Sequence, residues 1–468
     1  MKYLFILFCF GVSHMIQAQD GWTLERCIHH AVENNLQVML KENSKESVDL
    51  DVRNAMHQRY PTLSSGVNLG WNFGRTIDPT TNTFITETFF NNGISISSGV
   101  LLFNANRINN SIKLAKLNGE ITDKELTQIK QDIALQVASA FLNIVFAQEN
   151  LKNAQEQKSQ TERQFQLVKS MIAVGNRPNN DILEVEAQLL QNDQSIVTSN
   201  NLLSSSKLAL KQLLRLDEDF DIIIPENIAL STDPDILTDN EVYQLALQSQ
   251  SRIHAAQLQI NSAELNHRMS KASYYPSISG GGSLQTNYSN QGIEVVGFNE
   301  VISDQDIYIN GTSVNVGFPQ QIPILNQKKY FHQLTDNLSY GVGVNCQIPI
   351  YSNLNARTNA QKAKINIDNA KLNLELEENT LKTQVNTAMN DARAAKAKYA
   401  STQKVLDVQK RLLDNTNRKY EAGNSNTFEL SNINSQFESA QINDLIAKYD
   451  YIFKVKVIEF YLGKPLTL

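Results

Sequence analysis

The chain has 468 residues, a formal net charge of −6 and 41% hydrophobic residues. That charge gives no basic footprint for nucleic acid, and the hydrophobic content is too low for a polytopic helical membrane protein. Length alone allows two to four ordinary domains, but an internal duplication argues for one body made of two similar halves.

In chain order, Met1 to Ala18 reads as a secretory signal peptide. Lys2 supplies the charged start, Tyr3 to Val12 the apolar stretch, and Ile16-Gln17-Ala18 a cleavage site before Gln19. About ten apolar residues are too few to span a bilayer. Cys9 sits between Phe8 and Phe10, a poor site for a lipid anchor. Cys27 and Cys346 remain after cleavage and are expected as two buried free thiols far apart.

Trp22 to Asn35 reads as a short helix, with Thr23 as N-cap and Leu24, Ile28, Ala31 and Val32 on one face. Leu36 to Gln58 continues helical until Tyr60-Pro61 breaks it. Four later segments alternate like strands. Leu63, Val67, Leu69, Trp71 and Phe73 share one face of the first. Ile94, Ile96, Val100 and Leu102 share one face of the second, Ile278, Leu284 and Tyr288 of the third. Leu338 to Ile350 gives the fourth, with Tyr340, Val342, Val344 and Cys346 apolar and Ser339, Gly341, Gly343, Asn345 and Gln347 opposite. Strands of about 10–13 residues, apolar on one face and Gly, Ser and Asn on the other, suit a bilayer crossing with a lumen behind it. No later segment is a run of about 18 uncharged apolar residues, so a membrane crossing falls to these strands. Trp71, Phe73, Tyr288 and Tyr351 near strand ends suit an interfacial girdle.

Each strand pair runs into a long helical arm. From Ala105 to Ala173 there is one glycine and no proline, and from Asn353 to Ala422 there is neither. About 69 residues at 1.5 Å each give a rod of roughly 100 Å. Ile129, Ile133, Val137, Ala140 and Ile144 recur at steps of three and four, as coiled-coil packing requires. Each arm ends at a glycine, Gly175 or Gly423, and a return helix follows at Asp181 to Leu216 or Thr427 to Leu462. A spacing of 248 residues separates Phe103 from Tyr351 and also Gly175 from Gly423. The two arms therefore match without a gap. The spacing from Tyr60 to Tyr275 is only 215, so the second strand pair carries 33 extra residues. Within them, Ile307-Tyr308-Ile309-Asn310-Gly311 is expected to begin a small extra hairpin.

The expected organisation is a signal peptide at 1–18, a first repeat at 19–216, a connector at 217–239 and a second repeat at 240–468. The first repeat holds a β-hairpin at about 62–103 and a helical hairpin at about 105–216. The second holds a β-hairpin at about 276–351, with a long loop at 289–337, and a helical hairpin at about 353–462. The fold class is mainly α with a transmembrane β part.

No catalytic constellation stands out, so the chain is not expected to be an enzyme, and no cofactor or metal is expected. His29 and His30 are adjacent rather than at the i, i+4 spacing of a metal-binding helix. Gly280-Gly281-Gly282 lies in a strand and fits close strand packing.

This order of parts resembles the TolC-type outer-membrane efflux proteins. Four places carry the resemblance. Trp22 through Ile28, with Ala31 and Asn34-Asn35, is similar to the family's opening helix. Tyr60-Pro61 and Tyr275-Pro276 are similar to its helix-to-strand junctions. Gln347-Ile348-Pro349-Ile350-Tyr351 is similar to its strand-to-helix exit. Tyr420-Glu421-Ala422-Gly423 with Leu430 is similar to its periplasmic turn, and Val174-Gly175 with Asp181 is the partner turn of the first half. The resemblance implies a homotrimer with a shared twelve-stranded barrel in outer-membrane lipid and an α-helical tunnel in the periplasm. It also implies a periplasmic adaptor protein and an inner-membrane pump as partners, and passive conduction of cargo to the exterior. It places an entrance at Asp181, Tyr420, Glu429, Asn432 and Arg177, with a tyrosine like Tyr420 bonded to the acid at Asp181. Where the family often has two aspartates after the second turn, this chain has Glu429 and Asn432. Where it often has an arginine latch, this chain has Ser425, with Arg177 at the matching place of the first half. A compensating contact from Arg177 to Glu429 is expected. The alternative to a channel is a structural or adhesive coiled-coil envelope protein.

Overall fold

The computed structural model describes residues 21–464, except 78–81, 83, 87, 176, 219 and 224–232. The signal peptide expected at 1–18 and much of the connector, including Pro225, lie outside the described residues. In chain order the first half holds α1 (Leu24–Asn34), α2 (Leu36–His57), β1 (Thr62–Asn72), β2 (Thr76–Ile77), β3 (Phe84–Ile85), β4 (Phe89–Phe103), α3 (Arg107–Ala173) and α4 (Asn180–Leu214). The second holds α5 (Asp239–Ser249), α6 (Ser251–Ala272), β5 (Ser277–Ser289), β6 (Ile293–Ile309), β7 (Thr312–Gln327), α7 (Tyr330–Asp336), β8 (Ser339–Gln347), α8 (Asn355–Glu421) and α9 (Thr427–Tyr461). These elements divide into two units. One is helical: the chain up to Asp49, Leu117–Asn261 and Asp368–Leu468. The other carries the strands: Leu50–Lys116 and Ser262–Ile367.

The duplication extends to single backbone angles. The long helices α3 and α8 each have 67 residues, and the return helices α4 and α9 each have 35. Ahead of α3, Ala105 and Asn106 have φ 51° and 61°. Ahead of α8, Asn353 and Leu354 have φ 50° and 61°. Left-handed non-glycine residues are uncommon. Two consecutive ones at matching places show one strand-to-helix turn used twice.

In the helical unit, the Thr23 hydroxyl caps α1 by accepting from the Arg26 amide at 3.2 Å. Leu24, Cys27 and Ala31 of α1 pack with Ile133, Val137, Phe141 and Ile144 of α3, Leu210 and Leu214 of α4, and Ile452 of α9. Among the described residues, α3 is the one helix apolar and long enough, by length and composition, to cross a membrane. Those apolar residues are spent on this core. A second core joins Val242 and Ile253 to Val385, Met389 and Ile458. The connector ends against α8. Lys396 reaches Asp233 at 2.7 Å and Asp235 at 2.6 Å, and Arg393 reaches Asp239 at 2.8 Å. The two carboxylates raise the Lys396 pKa, and the ammonium holds Asp233 below the usual carboxylate range. The Cys27 thiol is fully buried, and burial pushes it up to about 12. Cys346 departs from expectation: it is free but exposed in the chain, because its strand face carries no protein covering.

In the strand unit, β1, β4, β5 and β8 form one antiparallel sheet in the order β1-β4-β5-β8. The register lines up faces across all four strands. Val67 pairs with Ile94, Ile96 with Leu284, and Leu284 with Tyr340, giving one apolar face. Ser97, Ser283 and Gly341 follow one another on the opposite, uncharged polar face. The apolar face is open: Leu63 is 77% exposed and Val342 is 93% exposed. Trp71, Phe90, Tyr288 and Tyr330 form a run of ring contacts with centroids 5.0, 6.2 and 4.7 Å apart at one end of it. A Cβ on Gly281 would meet the Ser98 carbonyl at 3.0 Å, so the triple glycine serves close strand approach. β8 is shorter than expected, and β4 runs on to Phe103. Pro349 explains the difference, since it has no N–H to continue a ladder.

The extra residues build more than a small hairpin. β6 and β7 pair along 17 and 16 residues, and Asn310-Gly311 forms the turn at their tip instead of following the start of a new hairpin. Both turn residues have positive φ, 48° and 82°, as a type I′ turn demands.

Candidate functional site

The site lies in the helical unit, where the two hairpins turn. Each long helix ends in the same way. Gly175 takes φ 75° and its N–H bonds Ile172 O at 2.9 Å. Gly423 takes φ 77° and its N–H bonds Tyr420 O at 3.1 Å. Only glycine adopts this conformation without strain, which fixes the C-cap and reverses the chain. Behind the turns, Val168, Val185, Leu413, Tyr420 and Leu430 form a buried apolar cluster.

A polar clasp sits on that cluster. Arg177 Nη1 lies 3.3 Å from Asp181 Oδ2, and both side chains are largely buried. Its Nη2 donates to Tyr420 O at 3.4 Å and to Ser425 O at 3.3 Å. The guanidinium carbon stands 4.1 Å from the centre of the Tyr420 ring, a cation–π contact. Thr427 Oγ1 donates to Asp181 Oδ2 at 2.9 Å and lies 3.3 Å from the Tyr420 hydroxyl. Arg177 and Ser425, which occupy the same place in the two repeats, are thus bonded to each other.

Three of the expected entrance residues, Asp181, Tyr420 and Arg177, come together here. Glu429 and Asn432 do not join them. Glu429 is exposed; its carboxylate accepts from the Ser425 hydroxyl at 2.8 Å, and its N–H is capped by Asn426 Oδ1 at 2.7 Å. Asn432 is exposed and accepts from Gln436 at 3.4 Å. The expected Arg177–Glu429 contact is absent, because Asp181, one helical turn from Arg177, takes the guanidinium. The expected direct Tyr420–Asp181 bond is replaced by a bridge through Thr427. The sequence signalled Thr427 only by its place, first in the return helix and seven residues after Tyr420. The junction prolines sit at strand ends. Pro61 and Pro276 directly precede β1 and β5, and Pro349 lies two residues past the end of β8. Among the described residues, no cluster of three or more His, Cys, Asp or Glu is placed to hold a metal ion. The clasp is suited to holding two helical turns together.

A sequence profile described as outer membrane efflux protein matches residues 27–214 and 242–464. The chain belongs to the outer membrane efflux protein family. No curated protein matches it by sequence. Solved structures share its fold. CusC has a TM-score of 0.75 at 15% identity, covering 95% of this chain and 92% of CusC. The outer membrane protein VceC of Vibrio cholerae has a TM-score of 0.71 at 11% identity, covering 95% of this chain and 96% of VceC. The CmeC outer membrane channel of Campylobacter jejuni has 0.69 at 14% identity, covering 94% and 85%. As an outer membrane efflux protein, this chain resides in the outer membrane and serves efflux.

Proposed function

We propose that this chain is the exit duct of a tripartite efflux or secretion system and works as a homotrimer. One observation carries the reading: a four-stranded sheet with an apolar outer face, an uncharged polar inner face and two unpaired edge strands, β1 and β8. Open sheet edges are not tolerated in hydrocarbon, where every unpaired backbone group costs several kcal/mol. Three copies joined edge to edge give twelve strands and remove every edge. The helical hairpins of the three copies form a periplasmic tunnel. Cargo moves passively, handed on by an inner-membrane pump through a periplasmic adaptor. The clasp of Arg177, Asp181, Thr427 and Tyr420 holds the tunnel entrance shut until the adaptor engages the turns at Gly175 and Gly423. Glu429 and Asn432, free of the clasp, face the entering cargo. Reconstitution into planar bilayers tests this reading. Discrete channel openings support it. A purified, folded protein that gives none belongs to the alternative, a structural or adhesive envelope protein.

A further inference from the structure

The β6–β7 hairpin is long, roughly 50 Å at 3.3 Å per residue, and it is firmly rooted. Gln333 of α7 is fully buried at its base. Its Oε1 accepts from the Ser289 amide at 3.0 Å, and its Nε2 donates to the carbonyls of Ser289 and Lys328 at 2.9 Å each. A Cβ on Gly292 would lie 2.5 Å from that amide, so a side chain at this turn would displace Gln333 from its bonds. The Tyr330 ring packs at a tilt of 54° against Tyr288, its hydroxyl accepts from Asn92 at 2.8 Å, and Thr286 donates to Leu334 O at 2.6 Å. The hairpin therefore rises from the end of the sheet opposite the helix junctions, beside the open edge strand β8.

Its two faces differ. The register puts Val301, Ile307, Val314, Phe318, Ile322 and Ile324 on one face, which carries no charge between Gly297 and Thr312. Glu300, Asp304 and Asp306 lie on the other. No lysine, arginine or histidine occurs between Ile293 and Gln327. The edges are closed to further strands. Counting back from the two-residue turn, Pro319 and Pro323 fall at positions whose N–H would point outward. Proline there removes the donors an added strand needs. On β6 the outward positions include Glu300, Asp304 and Asp306, charges that deter edge pairing. A two-stranded ribbon of this kind is marginal by itself in water, and its apolar residues are open in the single chain: Ile322 is 48% exposed and Ile309 is 56% exposed.

We infer that the uncharged face of the β6–β7 hairpin packs against the same hairpin of the other two copies, forming a crown over the outer mouth of the duct. This rests on the homotrimer reading above. Symmetry selects the face, because self-packing brings each residue near its own copies. On the acidic face that means like charge against like charge; on the uncharged face it does not. Continuity selects the occupant. The hairpin is rooted next to β8, the edge another copy must join.

The test uses the full chain in outer-membrane vesicles, with Cys27→Ser and Cys346→Ser as background. Val314→Cys and Ile322→Cys probe the uncharged face, and Asn315→Cys the acidic one. After oxidation with copper phenanthroline, the uncharged-face variants are expected to give a covalent dimer band at least fivefold stronger than Asn315→Cys. An impermeant maleimide applied to whole cells should label them at least fivefold more slowly. Equal cross-linking and labelling on the two faces, in a protein that still sizes as a trimer, overturns the crown and leaves the duct reading standing. Protection from maleimide without cross-linking also overturns it, since lipid or another protein then covers the face. A background protein that sizes as a monomer overturns the trimer reading itself.

Discussion

Thr427 and Asp181 belong to different helical hairpins, and the Thr427 hydroxyl donates to Asp181 Oδ2 at 2.9 Å. Arg177 reaches the same oxygen at 3.3 Å. One carboxylate oxygen therefore serves both turns. The bond ties the start of α4 to the start of α9, while the Tyr420 ring lies under the arginine.

If the clasp holds the entrance shut, loosening it should widen the open channel. Asp181→Ala combined with Tyr420→Phe is expected to raise single-channel conductance in planar bilayers. Thr427→Val alone is expected to give part of that rise, since it removes the hydroxyl that bonds both Asp181 and Tyr420, at about 1 kcal/mol per hydrogen bond. Glu429→Gln should weaken block by multivalent cations and leave conductance near the parent value. Parent-like behaviour of all three variants would reduce these residues to helix capping and packing.

The sheet faces differ in what they tolerate. Val344 pairs with Gly280 on the open apolar face, and Asn345 pairs with Ser279 on the polar one. Val344→Arg is expected to cost about 2–4 kcal/mol if it lies near the lipid midplane. Asn345→Arg should cost much less. Denaturant unfolding in detergent or lipid measures both, and equal losses would contradict a lipid-facing Val344.

Glu438 on α9 has a buried carboxylate oxygen without a hydrogen-bond partner among the described residues, and burial pushes its pKa up to about 7. An acid whose pKa rises on folding favours the folded state at low pH. That contribution is complete below its ordinary value of 4.5 and is lost as pH rises through about 7. Glu438→Gln should therefore raise the melting temperature at pH 8 and leave it nearly unchanged at pH 4.5. An equal shift at both pH values would assign the effect to packing instead of charge.

The duplicated arms were legible because their determinants are local. Gly175 and Gly423 end helices through their own φ, and the steps of three and four from Ile133 to Ile144 mark a face that any helical partner can cover. The strand faces were legible for the same reason, since alternation is a property of neighbours in sequence. What was not legible depends on contacts distant in sequence. Thr427 between Asp181 and Tyr420 is one case; the docking of Asp233 and Asp235 on Lys396 is another. Asn310-Gly311 fixes a turn but says nothing of how far the strands behind it extend. Analogy between the halves points Arg177 toward Glu429, yet the Asp181 carboxylate four residues on is nearer.

The mass of the purified protein in detergent tests the central claim most directly, because one chain supplies only four spanning strands. Light scattering corrected for bound detergent should give three copies per particle, with strand content retained. A stable monomer with the same strand content would contradict the shared barrel.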